Sequence, residues 1–532
     1  MLHGPSRRWT GNEWTCCRTR SVTRAWSRPE ALRSPVRGDL RSRQESCLRR
    51  EGPRGANGEH HGSMAANLEV DPSALTTRLD SPDGRSFVVR GPASERPMAG
   101  DYLELEGEGG MLAFVEDVAV DAGDTVFSAT GTLVPVGDGS GAAGRPVDSA
   151  WHAVAVRTTH PDAVARLLSG TDPELHLGQL AGHDSVGVAL VPNRLNRHTF
   201  WCGQSGSGKT YALGVLLERI LLSTRLPMVV FDPNSDFVRL HEQAVAPASD
   251  QARALREREV VILRPDDAES PLRVRFTELT ARAKAAVLRL DPIVDRAEYN
   301  ALLRLFDSDF DTVDAERIVP YLRSLGDPDA EALAQRLENL GVVEWRTTWA
   351  FGATPATEVI AGRPAATVLD LGGYDRSEEQ LAVALAVLDD LWARRGERRP
   401  LLIVVDEAHN LCPPDPETPL GVAVRDRLIQ IAAEGRKYGL WLLLSTQRPS
   451  KVHPGIVSQC DNLTLMRMNS RDDLDQLASV FGFVPRGLLA QAARFRQGEA
   501  LLAGGFVTMP SIVRVRGRVT PQGGTDVPVP MP

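Results

Sequence analysis

A glycine-rich octapeptide carries the strongest chemical signal in the sequence. Residues 203–210 read GQSGSGKT and match the pattern G-x-x-x-x-G-K-[ST] at every position. Glycines let consecutive backbone N–H groups curl around phosphate oxygens, and a helix that starts directly afterwards adds the positive end of its dipole. The pattern therefore predicts a site for ATP. The predicted nucleotide-binding residues are Gly203, Gln204, Ser205, Gly206, Ser207, Gly208, Lys209, Thr210 and Tyr211.

Two residues of the octapeptide have distinct expected roles. Lys209 is expected to reach the β- and γ-phosphates, where its positive charge would act during phosphoryl transfer. The Thr210 hydroxyl is expected to hold Mg²⁺.

A run of five apolar residues that ends in two carboxylates is the second signal. Leu401–Val405 is followed by Asp406 and Glu407. Such a run predicts a buried parallel strand that presents its acids at the carboxyl edge of a sheet, where ligands bind. Asp406 is predicted to support Mg²⁺, directly or through water, and Glu407 to polarise the attacking water. For His409, the absence of a second His or Cys at ligand spacing favours helix capping or a core hydrogen bond over metal binding.

Three further polar residues are candidates for contact with the γ-phosphate. Gln447 follows the apolar run Leu440–Ser445, and it is predicted to contact the phosphate if that strand lies beside the strand of Glu407; a local amide hydrogen bond is the alternative. Arg197 precedes the octapeptide, and Arg436 lies in the segment 434–439. An arginine outside its own pocket can reach the γ-phosphate of a neighbouring subunit. From the residues alone, a solvated surface arginine is the favoured interpretation of each.

The elements that must position these residues are apolar strands that alternate with amphipathic helices. This alternation spans residues 191–518 and predicts an α/β domain with a mostly parallel sheet. The stretch of about 276–350 is predicted to be an all-α insertion. Residues 64–190 contain short strand-like runs, which predict a small β-barrel. A helix is expected over Tyr211–Leu222. The strands expected in the α/β domain are Thr199–Cys202, Met228–Asp232, Val260–Leu263, Thr367–Leu371, Leu401–Asp406, Leu440–Ser445, Leu463–Arg467, Glu499–Ala503 and Ile512–Arg516.

Charge is distributed unevenly along the 532 residues. The formal net charge is −8, but residues 1–63 carry +7 and the remainder carries −15. Residues 1–63 are interpreted as a disordered or mistranslated leader before Met64; a basic DNA-binding arm and a transit peptide are the alternatives. Residues 519–532, rich in Pro and Gly, are expected to be disordered.

Composition excludes several classes of protein. No apolar run approaches 18 residues, so no membrane span is expected. The six cysteines lack metal-like spacing, which argues against a disulfide scaffold or a zinc ribbon and fits a reducing compartment. The expected location is the cytoplasm of a bacterium.

Six segments, in a fixed order across about residues 178–516, resemble the HerA-like branch of the FtsK–HerA superfamily of ring-forming ATPases. Residues 178–516 make up nearly two thirds of the chain. The resemblance implies a RecA-like P-loop ATPase core preceded by a β-barrel. The segments are Arg197–Thr199, Phe231–Asp236, Asp406–Leu411, Glu434–Gly439, Ser445–Ser450 and Ser458–Asn462.

The resemblance also implies residue roles. Lys209 and Thr210 match the nucleotide-binding pair of the family, and Asp406 and Glu407 match its metal-supporting and catalytic acids. Gln447 matches the sensor glutamine. Arg197 and Arg436 match arginines that act across the subunit interface, and Asp232 and Asp236 match an acidic pair that supports the site. A departure is Cys202 before the loop, with Gln204 and Ser205 where Thr is common; neither change removes a phosphate contact.

The function implied by the resemblance is a homo-hexameric motor that uses ATP to move along double-stranded DNA, often with a nuclease or effector partner. A core with a charge of −15 is a poor general DNA binder unless its basic residues line a channel, for which Arg448 and Lys451 are candidates. The acidic balance keeps open a second hypothesis. In that hypothesis the chain is a nucleotide-gated assembly scaffold of an anti-phage or type IV secretion-like complex.

Overall fold

The structure is a computed structural model that describes residues 76–523, except 107–110, 136–149, 170–174, 243–249, 308–314, 346 and 348–352. The leader 1–63 and residues 524–532 of the expected disordered tail lie outside the described residues.

Six antiparallel strands close into a barrel in the order β1-β2-β5-β4-β3-β6. Buried and exposed side chains alternate along β2 and along most of β5, as expected when one face of each strand meets an enclosed core. That core contains Leu79, Phe87 and Phe127. The predicted N-terminal β-barrel is therefore confirmed. Its strands are β1 (Arg78–Ser81), β2 (Ser86–Pro92), β3 (Tyr102–Leu105), β4 (Met111–Val120), β5 (Val126–Pro135) and β6 (Trp151–Thr158).

A second sheet has eleven strands in the order β11-β12-β10-β13-β14-β9-β15-β16-β17-β7-β8. The strands from β11 to β15 in this order are parallel, and the remaining four pair antiparallel. The predicted α/β fold with a mostly parallel sheet is confirmed. Its strands are β7 (Leu175–Leu180), β8 (His183–Leu190), β9 (His198–Cys202), β10 (Met228–Asp232), β11 (Val260–Leu263), β12 (Ala366–Asp370), β13 (Leu401–Val405), β14 (Leu440–Thr446), β15 (Cys460–Met466), β16 (Glu499–Gly504) and β17 (Ser511–Val515).

Helices connect the parallel strands, and within the described part of residues 276–350 the regular elements are helices without strands. No described helix is long and apolar enough to cross a membrane. The helices are α1 (Pro161–Leu168), α2 (Lys209–Ser223), α3 (Asp250–Arg256), α4 (Ala281–Val287), α5 (Arg296–Asp307), α6 (Ala315–Ser324), α7 (Pro328–Asn339), α8 (Ala356–Gly362), α9 (Ser377–Ala393), α10 (Pro419–Glu434), α11 (Pro454–Val457), α12 (Arg471–Val480) and α13 (Arg486–Gln491).

The large sheet begins earlier in the chain than residue 191. Strands β7 and β8, which fall in the range expected to form the barrel, join the large sheet through β17, where Val513 pairs with Leu180. Their alternating pattern is the same as that of a barrel strand, and their partner lies more than 300 residues away. A local pattern could not assign them to the correct sheet.

Residues 519–523 are ordered, contrary to the expectation for the tail. The buried carboxylate of Glu218 in α2 accepts hydrogen bonds from the backbone N–H groups of Val519 and Thr520 and from the Thr520 hydroxyl. The N–H of Gly523 donates to the carbonyl of Asp236. A fully buried carboxylate needs such donors, so Glu218 fixes this segment against α2.

Glu218→Ala is expected to destabilise the fold by about 2–4 kcal/mol, because three donors would lose their charged acceptor. Hydrogen exchange should show loss of protection at Val519 and Thr520, and urea unfolding should give the change in free energy. The control is Glu257→Ala at an exposed position. Equal stability of the two variants would contradict this account of the segment.

Candidate active site

The glycine-rich loop lies at the carboxyl end of β9, between β14 and β15 in the parallel part of the sheet. Gly206 and Gly208 have φ values of +73° and +93°, which glycine adopts without steric cost, and Gly208 is the N-cap of α2. A Cβ on Gly203 would lie 2.7 Å from the Cβ of Met466 in β15. The loop and the start of α2 thus have the compact form that a phosphate-binding loop requires.

Lys209 is buried and contacts three side chains from the ends of neighbouring strands. Its Nζ donates to Oδ1 of Asp406 at 2.9 Å and to Oγ of Ser445 at 3.0 Å, and Oε1 of Glu407 lies 3.2 Å away. Burial alone would lower the pKa of Lys209, but the two carboxylates outweigh it and the pKa is raised, so the side chain is a cation. The structure therefore brings together the predicted lysine and both predicted acids. The contact with Ser445 was missed.

The two acids keep oxygen atoms that the protein does not use. Oδ2 of Asp406 and Oε2 of Glu407 are buried and accept no hydrogen bond from the described residues. Such oxygens suit a cation or an ordered water. Within the described ranges, no group of three or more His, Cys, Asp or Glu could hold a metal ion by itself. In proteins, Mg²⁺ takes one or two carboxylates and completes its shell with phosphate and water.

Asp232 and Asp236, the acidic pair after β10, differ in position. Asp232 is fully buried and accepts the backbone N–H groups of Asp236 and Phe237, which turns the chain after the strand. Burial raises the pKa of Asp232 to about 7, although these two hydrogen bonds oppose the shift. Oδ2 of Asp236 lies 3.4 Å from Oγ1 of Thr210, at the edge of hydrogen-bonding distance. Asp232 shapes the turn, and Asp236 is the member that reaches the loop.

A cleft of about 920 Å³ contains most of the predicted nucleotide-binding residues together with Glu407 and Gln447. Gln447 directly follows β14, which pairs with both β13 and β9, so it lies beside the strand end that carries Glu407. Five lining residues were missed, of which only Asn234 lies in a recognised segment: Asn234, Gln497, Gly498, Val515 and Gln522. The cleft is lined by Gln204, Ser205, Gly206, Gly208, Lys209, Thr210, Tyr211, Asn234, Asp236, Glu407, Gln447, Gln497, Gly498, Val515 and Gln522.

His409 lies beside the two polar strand ends. Its Nδ1 is 3.1 Å from Oγ1 of Thr446 and 3.3 Å from Oε2 of Glu407. Burial lowers its pKa, with Glu407 opposing the shift. The contact with Thr446 agrees with the expectation of a hydrogen-bonding role, and it links the end of β13 to the end of β14.

Arg197 and Arg436 are not part of this cleft. Arg197 precedes β9 and Arg436 precedes β14, so both lie at the amino ends of strands whose carboxyl ends carry the loop and Gln447. β9 has five residues, which span roughly 16 Å. The two arginines meet at Oδ2 of Asp461 in β15, at 3.4 Å from Nη1 of Arg197 and 2.5 Å from Nη1 of Arg436. Neither can reach the phosphate loop of its own chain.

His198 joins the elements that carry these arginines. It is fully buried; its Nδ1 accepts the N–H of Leu442 in β14, and its Nε2 lies 3.0 Å from the carbonyl of Ala432 in α10. Because Nδ1 is an acceptor, the proton of a neutral ring lies on Nε2, which then donates to Ala432. Burial, followed by the charge of Arg436, lowers the pKa of His198 to about 4. The ring is neutral near pH 7.

Known proteins provide an independent comparison. Residues 175–391 match the family model described as "Helicase HerA, central domain". The chain is 23% identical over 405 residues to the "Probable DNA double-strand break repair helicase HerA" of Methanocaldococcus jannaschii, covering 67% of this chain and 79% of that protein. It is 24% identical over 405 residues to the "DNA double-strand break repair helicase HerA" of Pyrococcus furiosus, covering 66% and 71%. The resemblance to HerA-like ATPases is confirmed.

Among solved structures, VirB4 of Thermoanaerobacter pseudethanolicus is similar with a TM-score of 0.45 and 18% identity. That likeness covers 66% of this chain and 98% of that one.

Acid is expected to destabilise the fold through His198. Below pH 6.5 the unfolded chain binds a proton that the folded ring takes up only near pH 4, so the contribution of His198 to the free energy of unfolding falls by about 3 kcal/mol across this window. Urea unfolding between pH 7 and pH 4 measures it. His198→Asn retains an acceptor for Leu442 without titrating, and it should lose less stability over the same range than the wild type. Parallel curves for the two proteins would refute the prediction.

Proposed function

We propose that this chain, a HerA-like P-loop ATPase, works as a ring motor that couples ATP hydrolysis to movement along double-stranded DNA. The observation that carries the proposal is the division of the site between two edges of one sheet. The phosphate loop and the acids lie at the carboxyl ends of the parallel strands, and the arginine pair lies at their amino ends. Two copies are needed to bring both halves to one nucleotide.

The loop residues Gly203–Thr210 would hold the phosphates through backbone N–H groups, with Tyr211 continuing the first turn of α2. Lys209 would exchange Asp406 and Glu407 for the β- and γ-phosphates, because all are anions within reach of one ammonium group. Thr210 and Asp406 would hold Mg²⁺, which supplies neutralisation of phosphate charge when bound.

Glu407 is the proposed general base. Its Oε2 is buried and accepts no hydrogen bond from the described residues, although Nδ1 of His409 lies 3.3 Å away, so it can accept a hydrogen bond from the attacking water and take up its proton. Gln447, at the end of the neighbouring strand, is proposed to contact the γ-phosphate and to report its loss. His409 lies between the end of β14 and Glu407 and would hold the carboxylate in place.

Arg197 and Arg436 are proposed to stabilise transition-state charge on the nucleotide of the neighbouring protomer. A head-to-tail contact that uses two different edges of the same domain closes into a ring when its rotation allows. A hexamer is the proposed state, following the resemblance. The site would then lack Arg197 and Arg436 until the ring forms.

Double-stranded DNA is the proposed substrate because the relatives from M. jannaschii and P. furiosus are named double-strand break repair helicases. Residues 64–532 carry a formal net charge of −15, so the basic residues that contact DNA phosphates must be concentrated in one region. Arg448 and Lys451 are exposed and directly follow Gln447, so they remain the proposed lining of a channel.

A nucleotide-gated scaffold that docks a nuclease or effector is the second candidate. The observation that favours it is an apolar tip in the helical insertion, where the side chains of Ile293 and Val294 are 84% and 81% exposed. Paired exposed apolar residues mark sites of protein contact. If the chain is a scaffold, ATP hydrolysis should be slow and should not respond to DNA. If it is a motor, DNA should stimulate ATP hydrolysis, and the stimulation should increase with duplex length.

ATP hydrolysis stimulated by linear duplex DNA is expected to fall by about 100-fold or more in Lys209→Ala and in Glu407→Gln. Glu407→Gln should still bind nucleotide, because only the base is removed, whereas Lys209→Ala should bind it weakly. Steady-state turnover and binding of a fluorescent ATP analogue measure the two effects, with Glu257→Gln as the control. Hydrolysis by the wild type that is indifferent to DNA at low salt would exclude the motor and leave the scaffold.

Mixing two inactive proteins tests the shared site. Lys209→Ala lacks a nucleotide site but retains its arginines, and Arg436→Ala has the reverse defect. In randomly mixed rings, up to about a quarter of the interfaces combine an intact nucleotide site with an intact arginine edge. The mixture should therefore recover up to about a quarter of the wild-type ATPase activity. An equimolar mixture that stays as inactive as its components would rule out action between protomers.

A further inference from the structure

We propose that Asp461 is a positioning residue that holds Arg197 and Arg436 together as one unit for presentation to the triphosphate of the neighbouring protomer. This inference rests on the proposed function and assigns a role to a residue for which neither the sequence nor the resemblance gave one. The arginines come from different connections, one before β9 and one after α10, and their common contact is this carboxylate.

The backbone of Asp461 is held rigidly. It is the second residue of β15, and Gly504 in β16 lies so close behind it that a Cβ there would be 2.3 Å from the Asp461 carbonyl oxygen. The next residue, Asn462, donates to the carbonyl of Arg194 and to the hydroxyl of Thr199, on either side of Arg197. The carboxylate therefore projects from a fixed point toward a fixed segment.

The two ion pairs differ in strength. Both guanidinium groups meet the same oxygen, but Nη1 of Arg436 is at 2.5 Å and Nη1 of Arg197 is at 3.4 Å. Arg436 also follows α10, which His198 ties to β9 and β14 through Ala432 and Leu442. The geometry points to Arg436 as the anchored member and Arg197 as the member that is released more easily.

The exposure of the cluster allows its contacts to be exchanged. The side chains of Arg197, Arg436 and Asp461 are 44%, 32% and 48% exposed, and ion pairs this open to water are weak. Two cations share one anion, so the cluster keeps a net charge of +1. Without the carboxylate, two like charges would repel each other and separate. With it, the pair stays together but can give up a contact to a phosphate, which binds guanidinium more strongly.

Asp461→Asn is expected to lower kcat for DNA-stimulated ATP hydrolysis by about 10- to 100-fold, the scale of a misplaced catalytic group. KM for ATP should stay within about twofold, because the nucleotide cleft of the same chain is at the other edge of the sheet. Asp461→Glu keeps the charge and should retain more activity than Asp461→Asn. The control is Glu104→Gln, which removes a carboxylate paired with Arg157 at 3.1 Å in the barrel and should leave kcat unchanged.

Mixing separates a positioning role from simple misfolding. Asp461→Asn has an intact nucleotide cleft, so mixing it with Lys209→Ala should restore activity as the Arg436→Ala mixture does. A wild-type kcat for Asp461→Asn, or no recovery on mixing, would overturn the inference. If the Arg436→Ala mixture also fails, the shared site itself is wrong; if that mixture works, only the role of Asp461 is wrong.

Discussion

The nucleotide cleft depends on one buried cation. Lys209 starts α2, and its ammonium group is held by Asp406, Glu407 and Ser445 at the ends of β13 and β14. A charge so far from water must be paired, and its partners must stay in register with it. This single requirement fixes a helix and two strands relative to one another. The charges of the site are therefore arranged before a triphosphate binds. If Lys209 pairs with the phosphates instead, the two carboxylates become free for their proposed roles at Mg²⁺ and at the attacking water.

The second constraint is the polarity of parallel strands. All the strands from β11 to β15 in the sheet run in one direction, so their two ends carry different residues and face different surroundings. The carboxyl ends hold the phosphate loop, and the amino ends hold Arg197, Arg436 and Asp461. A strand of five residues is too long for an arginine to cross and too rigid to bend. In the proposed ring, the carboxyl ends of one copy would meet the amino ends of the next.

The sequence predicted what is encoded locally. The octapeptide and the five-residue run before Asp406 each carry their pattern within ten residues, and β10 and β11 have the predicted bounds. Contacts between residues that are distant in the sequence could not be predicted from it. β1 and β6, which pair Leu79 with Val154, were missed, and β7 was assigned to the wrong sheet. Asp461 belonged to a recognised segment, but its bond to Arg197 spans 264 residues and depends on β15 lying beside β9.

The left-handed backbone conformation of Glu407 bears on the stability of the protein. This residue has a φ of +44°, in the left-handed region that costs an ordinary side chain roughly 1 kcal/mol or more. Glycine would relieve that cost at the same position. The same replacement would remove one of the two carboxylates that pair with buried Lys209, and the loss of a buried ion-pair partner outweighs the relief of backbone strain. The left-handed backbone at Glu407 therefore persists because the carboxylate that it carries is needed to pair with Lys209.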